Sequence, residues 1–323
     1  MTRPKILLTR PWPDAAEKWI SERFDVTINT SGAPLTPDEL KAAMRDYDGI
    51  CPTVTDKFDA GILGTPEARV QIIANFGVGF EHIDLAAAKA AGIVVANTPD
   101  VLTDATADIA LLLMLMTSRR ASEGERQVRA HGWRGWGTTH MMGQSLQGKT
   151  LGLFGFGRIA QATAHRAKAA LGMTIAYASR SRATPEVEAR FEARYVDGLD
   201  ALAAQSDVLS LHCPGGSETH HLVNARLLGL MKPTAILINT ARGSVIDEGD
   251  LAQALKDRVI WAAGLDVYER EPAVHPDLLE LDNAVLLPHL GSATVETRAE
   301  MGLRAAANID AFFRGEAPRD RIA

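Results

Sequence analysis

Residues 151–181 read LGLFGFGRIAQATAHRAKAALGMTIAYASRS. An apolar, strand-like run enters a turn, Gly155-Phe156-Gly157-Arg158-Ile159-Ala160, which opens a helix-like stretch and is followed by a second strand-like run at 174–177. In a G-x-G-x-x-A turn so placed, the first glycine permits the tight bend and the second lets the backbone approach a pyrophosphate. The small residue at Ala160 lets helix and strand pack closely. The phosphates of a dinucleotide then rest on the helix N-terminus, where free N–H groups point outward.

The end of the second strand carries the choice between the two nicotinamide dinucleotides. An Asp or Glu there accepts hydrogen bonds from the ribose hydroxyls and repels a 2′-phosphate. This chain reads Ser179-Arg180-Ser181-Arg182 instead. A hydroxyl beside guanidinium groups welcomes a phosphate through charge-assisted hydrogen bonds. The expected cofactor is therefore NADPH, with NADH as the alternative.

Outward from this stretch, strand-like and helix-like segments alternate along the chain. Strands are expected at 5–8, 26–29, 49–54, 70–74 and 93–96, with helices at 15–23, 37–46 and 85–91. The second of these helices has a complete start signal in Thr36, Pro37 and Glu39, the N-cap, first-turn proline and capping-box acid. A second series places strands at 150–154, 174–177, 208–212, 235–239, 262–266 and 285–287, with helices at 158–171, 199–205 and 249–256. The fold class is α/β, with two doubly wound parallel-sheet domains. One is a Rossmann-type cofactor domain over 102–290. The other is a discontinuous flavodoxin-like substrate domain over 1–101 and 291–323, completed by a helix at 295–313. Between the two series lie a very apolar helix at 103–119 and an aperiodic arm at about 123–148, both expected at a subunit contact.

Composition narrows the function. The 323 residues are 46% hydrophobic, enough for large cores, and the net charge of −6 argues against nucleic acid or an anionic membrane as partner. Two cysteines, Cys51 and Cys213, without C-x-x-C spacing or surrounding histidines, predict neither a disulfide framework nor a metal site. The first residues lack a signal-peptide pattern and the longest apolar run, 109–116, is too short to span a bilayer, so a cytoplasmic location is expected.

Three residues follow late strands, where ligands of open α/β sheets bind: Arg242 in NTARG, Glu271 in LDVYEREP and His289 in PHLGSAT. Reduction of a 2-keto acid needs a cation for the carboxylate, an acid for the carbonyl oxygen and a group tuning that acid. Arginine grips a carboxylate bidentately, and a carboxylate beside an imidazole favours its protonated, donating form. The adjacent pair His220 and His221 lies outside a P-H-x-G context and reads as loop.

In order along the chain, GFGRIA, HCP, NTARG, LDVYEREP and PHLGSAT, with Gly77-Val78-Gly79 before EHID and ADIALLL at 107–113, resemble the D-isomer-specific 2-hydroxyacid dehydrogenases over essentially the whole length. Within that family the Trp-bearing arm and the Ser-Arg-Ser-Arg segment resemble the NADPH-dependent glyoxylate/hydroxypyruvate reductases. The resemblance implies a catalytic set of Arg242, Glu271 and His289, and a substrate bound by Val78, Gly79, Arg242 and His289, with its carboxylate on the N–H groups of Val78 and Gly79. It also implies a homodimer. For the cofactor it implies contacts from Thr106, Gly155, Gly157, Arg158, Ile159, Ser179, Arg180, Arg182, Cys213, Pro214, Thr219, Thr240, Ala241, Asp266 and Gly291. The chain departs from the family at Gly215-Gly216, where Leu-Thr is common, and at His140, where some relatives place an aromatic that enters the partner's active site. Two other readings stay open: an NAD-dependent dehydrogenase of another D-2-hydroxy acid, and a non-catalytic, cofactor-sensing protein like the family's corepressors.

Overall fold

The computed structural model describes residues 3–323. The chain forms two compact units, Met1–Leu102 with Ala293–Ala323, and Thr103–Ser292. Strands of the first unit are β1 (Lys5–Leu8), β2 (Asp25–Ile28), β3 (Gly49–Cys51), β4 (Ile72–Ala74) and β5 (Val94–Ala96). They pair in parallel in the order β2-β1-β3-β4-β5, the flavodoxin-like order of a doubly wound sheet. Strands β1, β3 and β4 are buried almost throughout, as a sheet covered on both faces requires. Helix Pro37–Asp46 starts as its sequence dictates: Thr36 accepts from Glu39 N while Glu39 returns to Thr36 N.

The helix Val295–Phe313 belongs to this first unit. It buries Ala305, Ala306 and Ile309 against Ile6, Leu8, Ala16 and Ile20. A Cβ at Gly302 would stand 2.5 Å from Ala16 Cβ, so glycine permits the close approach of this helix to helix Asp14–Ser21. The last residues then pair with β5, Ile322 N donating to Val95 O at 2.7 Å.

The second unit contains β6 (Thr150–Phe154), β7 (Thr174–Ala178), β8 (Ala193–Tyr195), β9 (Val208–Leu211), β10 (Ile236–Asn239), β11 (Ala262–Leu265) and β12 (Ala284–Leu286). All pair in parallel in the order β12-β11-β10-β9-β6-β7-β8, the Rossmann arrangement with its order reversing around β6. The seventh strand, β8, was not expected from sequence; three residues, Ala-Arg-Tyr, are too few to show a period. Helix Thr103–Ser118 buries Ala110, Leu113 and Met114 in this unit's core. A further helix, Ala121–Arg129, corrects the reading of an arm without secondary structure. It buries no residue, so it has no apolar stripe to read, and it is supported by the Arg120–Glu123 and Glu125–Arg129 ion pairs. Among the described residues no helix is long and apolar enough to cross a membrane.

Asp320 ties the returning C-terminal segment down. Both its oxygens accept from Arg304, at 2.6 and 2.7 Å, and Asn308 Nδ2 adds a bond at 3.1 Å. Burial opposes the charge of Asp320, but the Arg304 and Asn308 hydrogen bonds outweigh it and hold the carboxyl below its usual value. A carboxyl with a depressed folded-state pKa contributes stability above its unfolded pKa and loses it as pH falls through the folded one. Asp320→Asn should therefore lower the thermal midpoint at neutral pH and reduce its decline between about pH 4 and the folded-state pKa, measured by calorimetry across pH. An unchanged midpoint at pH 7 would remove this role.

Candidate active site

The carboxyl ends of β10, β11 and β12 bring three separated segments together. After β10, buried Asn239 builds the turn: its Oδ1 accepts from Ala241 N at 3.0 Å and its Nδ2 donates to Arg242 O at 2.9 Å. This self-bonding is what asparagine does well in turns, and it fixes the backbone that presents Arg242. The Arg242 guanidinium donates to Ala241 O at 2.6 Å through Nη1.

The next residue is the tightest point of the site. A Cβ on Gly243 would fall 1.8 Å from Tyr268 C and 2.1 Å from Tyr268 O. The turn after β10 thus lies directly against the backbone of the segment after β11, which carries Glu271. Behind this contact Glu269 N donates to Glu248 Oε1 at 2.8 Å, and Tyr268 N donates to Glu271 Oε1 at 3.0 Å.

The third segment follows β12. His289 Nδ1 meets Glu271 Oε2 at 2.8 Å, and both side chains are partly exposed. His289 has a positive φ of 54°, an uncommon conformation for a residue with a Cβ and one found at functional sites. Buried Asp266 holds the following backbone, accepting from Leu290 N at 2.7 Å and Gly291 N at 2.8 Å. Gly291 O in turn accepts from Thr106 Oγ1 at 3.1 Å.

Charge follows the geometry. Burial raises the pKa of Glu271, but the His289 hydrogen bond and charge, the Tyr268 N–H and the Arg242 charge more than offset this and keep the carboxyl below its ordinary value. Glu271 is thus an anion at neutral pH, facing one imidazole nitrogen. Asp266 goes the other way: burial raises its pKa from the ordinary value despite its two backbone donors and the nearby His289.

At the glycine turn, Gly155 has φ +91° and its missing Cβ would lie 2.6 Å from His212 O. Both conformation and space require glycine there. Gly157 caps helix Arg158–Leu171 with open space where its Cβ would be, while Ala160 is fully buried. The sequence expectation of one glycine for the bend, one for backbone exposure and a small residue for packing matches these surroundings. The residues fit a dinucleotide: the helix start is exposed, and the buried Thr240 hydroxyl lacks a hydrogen-bond partner within the described residues, a group that a bound molecule would satisfy.

The segment after β7 is more ordered than its sequence suggests. Ser179 Oγ donates to Ser181 O at 2.6 Å. Arg182 forms a double hydrogen bond with Glu188 at 2.8 Å each, and Tyr177 OH donates to the same carboxylate at 2.6 Å. The Arg182 and Tyr177 hydrogen bonds bring Glu188 down to about 2. Arg180 is exposed and contacts Glu218 at 3.4 Å. Nearby, burial raises the Cys213 thiol to about 11, and Thr219 Oγ1 donates to Pro214 O at 2.8 Å.

In the first unit, the loop carrying Val78 and Gly79 is held by its carbonyls. Asn75 Nδ2 donates to Gly77 O and Gly79 O, and Asn97 Nδ2 donates to Val78 O at 2.8 Å. Asn75, Asn97, Asn239 and Glu248 were all missed from sequence. Only the asparagines carried a local turn signal.

Known proteins resemble this chain over nearly its whole length. Residues 111–291 match the family model described as D-isomer specific 2-hydroxyacid dehydrogenase, NAD binding domain. The chain belongs to the D-isomer specific 2-hydroxyacid dehydrogenase family, a family of oxidoreductases. It is 44% identical to a glyoxylate reductase of Thermococcus litoralis, over 99% of this chain and 97% of that protein. It is 38% identical to a glycerate dehydrogenase of Hyphomicrobium methylovorum, over 98% of each. Among solved structures, the NADPH-dependent glyoxylate/hydroxypyruvate reductase of Sinorhizobium meliloti, in complex with NADP and malonate, superposes with a TM-score of 0.88. The identity is 36%, covering 100% of this chain and 97% of that one.

Gly243→Ala tests the central contact. The methyl group would overlap Tyr268 backbone atoms that cannot rotate away, and a loss of more than ~4 kcal/mol is expected, read as a lower urea midpoint. A variant of normal stability would show that the two segments are free to separate.

Proposed function

We propose that this chain reduces glyoxylate, hydroxypyruvate or both, to glycolate and D-glycerate respectively, with NADPH. The observation that carries the reading is the His289–Glu271 pair beside Arg242, on an exposed sheet end of a family whose relatives include glyoxylate reductases. Arg180 and Ser179, standing where an acid would repel a 2′-phosphate, support NADPH over NADH.

When bound, the reduced nicotinamide supplies the hydride that reduces the keto carbon. Around that chemistry, Arg242 orients the substrate carboxylate. His289 donates its Nε2 proton to the carbonyl oxygen as negative charge develops there. Glu271, already an anion, accepts from Nδ1, fixes the ring and stabilises the imidazolium. Holding acid, anchor and substrate together removes much of the entropic barrier. On the cofactor side, the start of the helix at Arg158 and Ile159, together with Gly155 and Gly157, would hold the pyrophosphate. Cys213, Pro214 and Thr219 would line the adenosine, and Thr106, Thr240, Ala241, Asp266 and Gly291 would surround the nicotinamide.

A second reading, an NAD-linked dehydrogenase of another hydroxy acid, has one observation in its favour. The guanidinium of Arg182 is already paired with Glu188, an anion close to the place a 2′-phosphate would take. Initial rates with glyoxylate and with hydroxypyruvate, each with NADPH and NADH, separate the two. Faster turnover with NADPH is expected, falling by at least about 100-fold in His289→Ala, the lower range for a general acid. Turnover with NADH alone would favour the second reading, and a fully active His289→Ala would remove the acid assignment.

The chain is also proposed to act as a homodimer. Leu112, Leu115, Val128, Trp133, Trp136 and Met142 are exposed hydrophobic residues between 112 and 142, and two-fold assemblies are the commonest. Sedimentation at micromolar concentration should show a dimer; a monomer would overturn it.

A further inference from the structure

The loop after β9 and the segment after β11 place two imidazoles against one carboxylate. His221 Nε2 lies 2.9 Å from Glu269 Oε1, and His220 Nε2 lies 3.7 Å from the same oxygen. The two rings stack with centroids 3.9 Å apart. One ligand atom from each of His220, His221 and Glu269 falls within 4.8 Å of the others. None of the three belongs to the proposed catalytic or cofactor-binding set.

We propose that His220, His221 and Glu269 form a site for a zinc-type divalent cation. Ligand atoms ~2.0–2.1 Å from a tetrahedral ion stand about 3.3 Å apart, and the two distances to Glu269 Oε1 bracket that value. Two imidazoles with one carboxylate select zinc, cobalt or nickel over magnesium or calcium, which take oxygen ligands. The fourth position is left to water.

The surroundings already orient the ligands. His221 Nδ1 lies 3.4 Å from Asp247 Oδ2, a carboxylate behind a histidine that leaves Nε2 to bind the ion. The backbone on either side is fixed: His221 N donates to Ser244 O, Val223 N to Val245 O and Asp247 N to Val223 O, at 2.9 to 3.0 Å. Glu269 N is bound by Glu248 Oε1. His220 has a half-exposed side chain, so turning its Nε2 onto an ion disturbs little packing. The ion would clip the loop at 215–222 to the segment of Glu269. That clip would back the Gly243–Tyr268 contact, which joins the segments bearing Arg242 and Glu271.

The test uses the full chain without a polyhistidine tag, freed of metal by a chelator and titrated with Co2+ and then Zn2+. One equivalent of Co2+ should bind and give visible ligand-field absorption, which Zn2+ displaces. Zn2+ should also raise the thermal midpoint, as any ligand of the folded state alone does. Both His220→Ala and Glu269→Gln should weaken binding at least tenfold and abolish the midpoint shift, while His131→Ala, at an exposed histidine elsewhere, leaves both unchanged. Circular dichroism checks that the variants fold, and His220→Ala, at an exposed side chain, keeps the test open if Glu269→Gln does not. Absence of saturable 1:1 binding, or equal binding by wild type and His220→Ala, would mean that the cluster is a hydrogen-bonded His–Glu group only.

Discussion

The contact between Gly243 and the Tyr268 backbone is the constraint on which the second unit's site depends. Parallel strands deliver their carboxyl ends to one edge of a sheet, but side chains that must act together still need loops at van der Waals distance. Glycine makes this possible, because any Cβ would overlap Tyr268 atoms at 1.8 and 2.1 Å. Asn239 fixes one side of the contact, and Glu248 and Glu271 take the N–H groups on the other. Buried donors are thereby satisfied in a region without regular pairing.

Electrostatics then divides two acids of similar position. Asp266 is spent on structure: buried, it accepts from two consecutive N–H groups and sets the path of the chain after His289. Burial raises its pKa, whereas Glu271, facing His289 and the Arg242 charge, is held below the ordinary range. Environments that push neighbouring carboxyls apart separate their roles. One positions the backbone, and the other stands against an imidazole where a proton can be held.

The nucleotide end uses backbone where the other end uses side chains. Gly155 is forced by its φ and by the nearness of His212 O, and Gly157 leaves the helix start uncovered. Beyond β7 the Tyr177–Glu188–Arg182 group gives the turn a rigid backing, stabilised by a carboxylate held near 2. Both arginines are exposed; Arg182 is bound to Glu188 by two hydrogen bonds, whereas Arg180 reaches Glu218 at 3.4 Å.

The periodicities made most of both sheets legible. Helices Pro37–Asp46, Arg158–Leu171, Leu199–Gln205 and Val295–Phe313 lie where the sequence places them, because capping residues, apolar spacing and glycines act locally. Helix Ala121–Arg129 and strand β8 were not legible: one buries nothing and the other has three residues. Arg242, Glu271 and His289 could be singled out by residue type and by their positions after strands. The sequence by itself determined alternation, turn chemistry and the kinds of groups available. Only the tertiary structure decided that Glu271 faces His289, that Glu188 takes Arg182, and that two loop histidines share Glu269. Such pairings join residues up to 49 positions apart. They follow from strand order and loop contact, which no local pattern encodes.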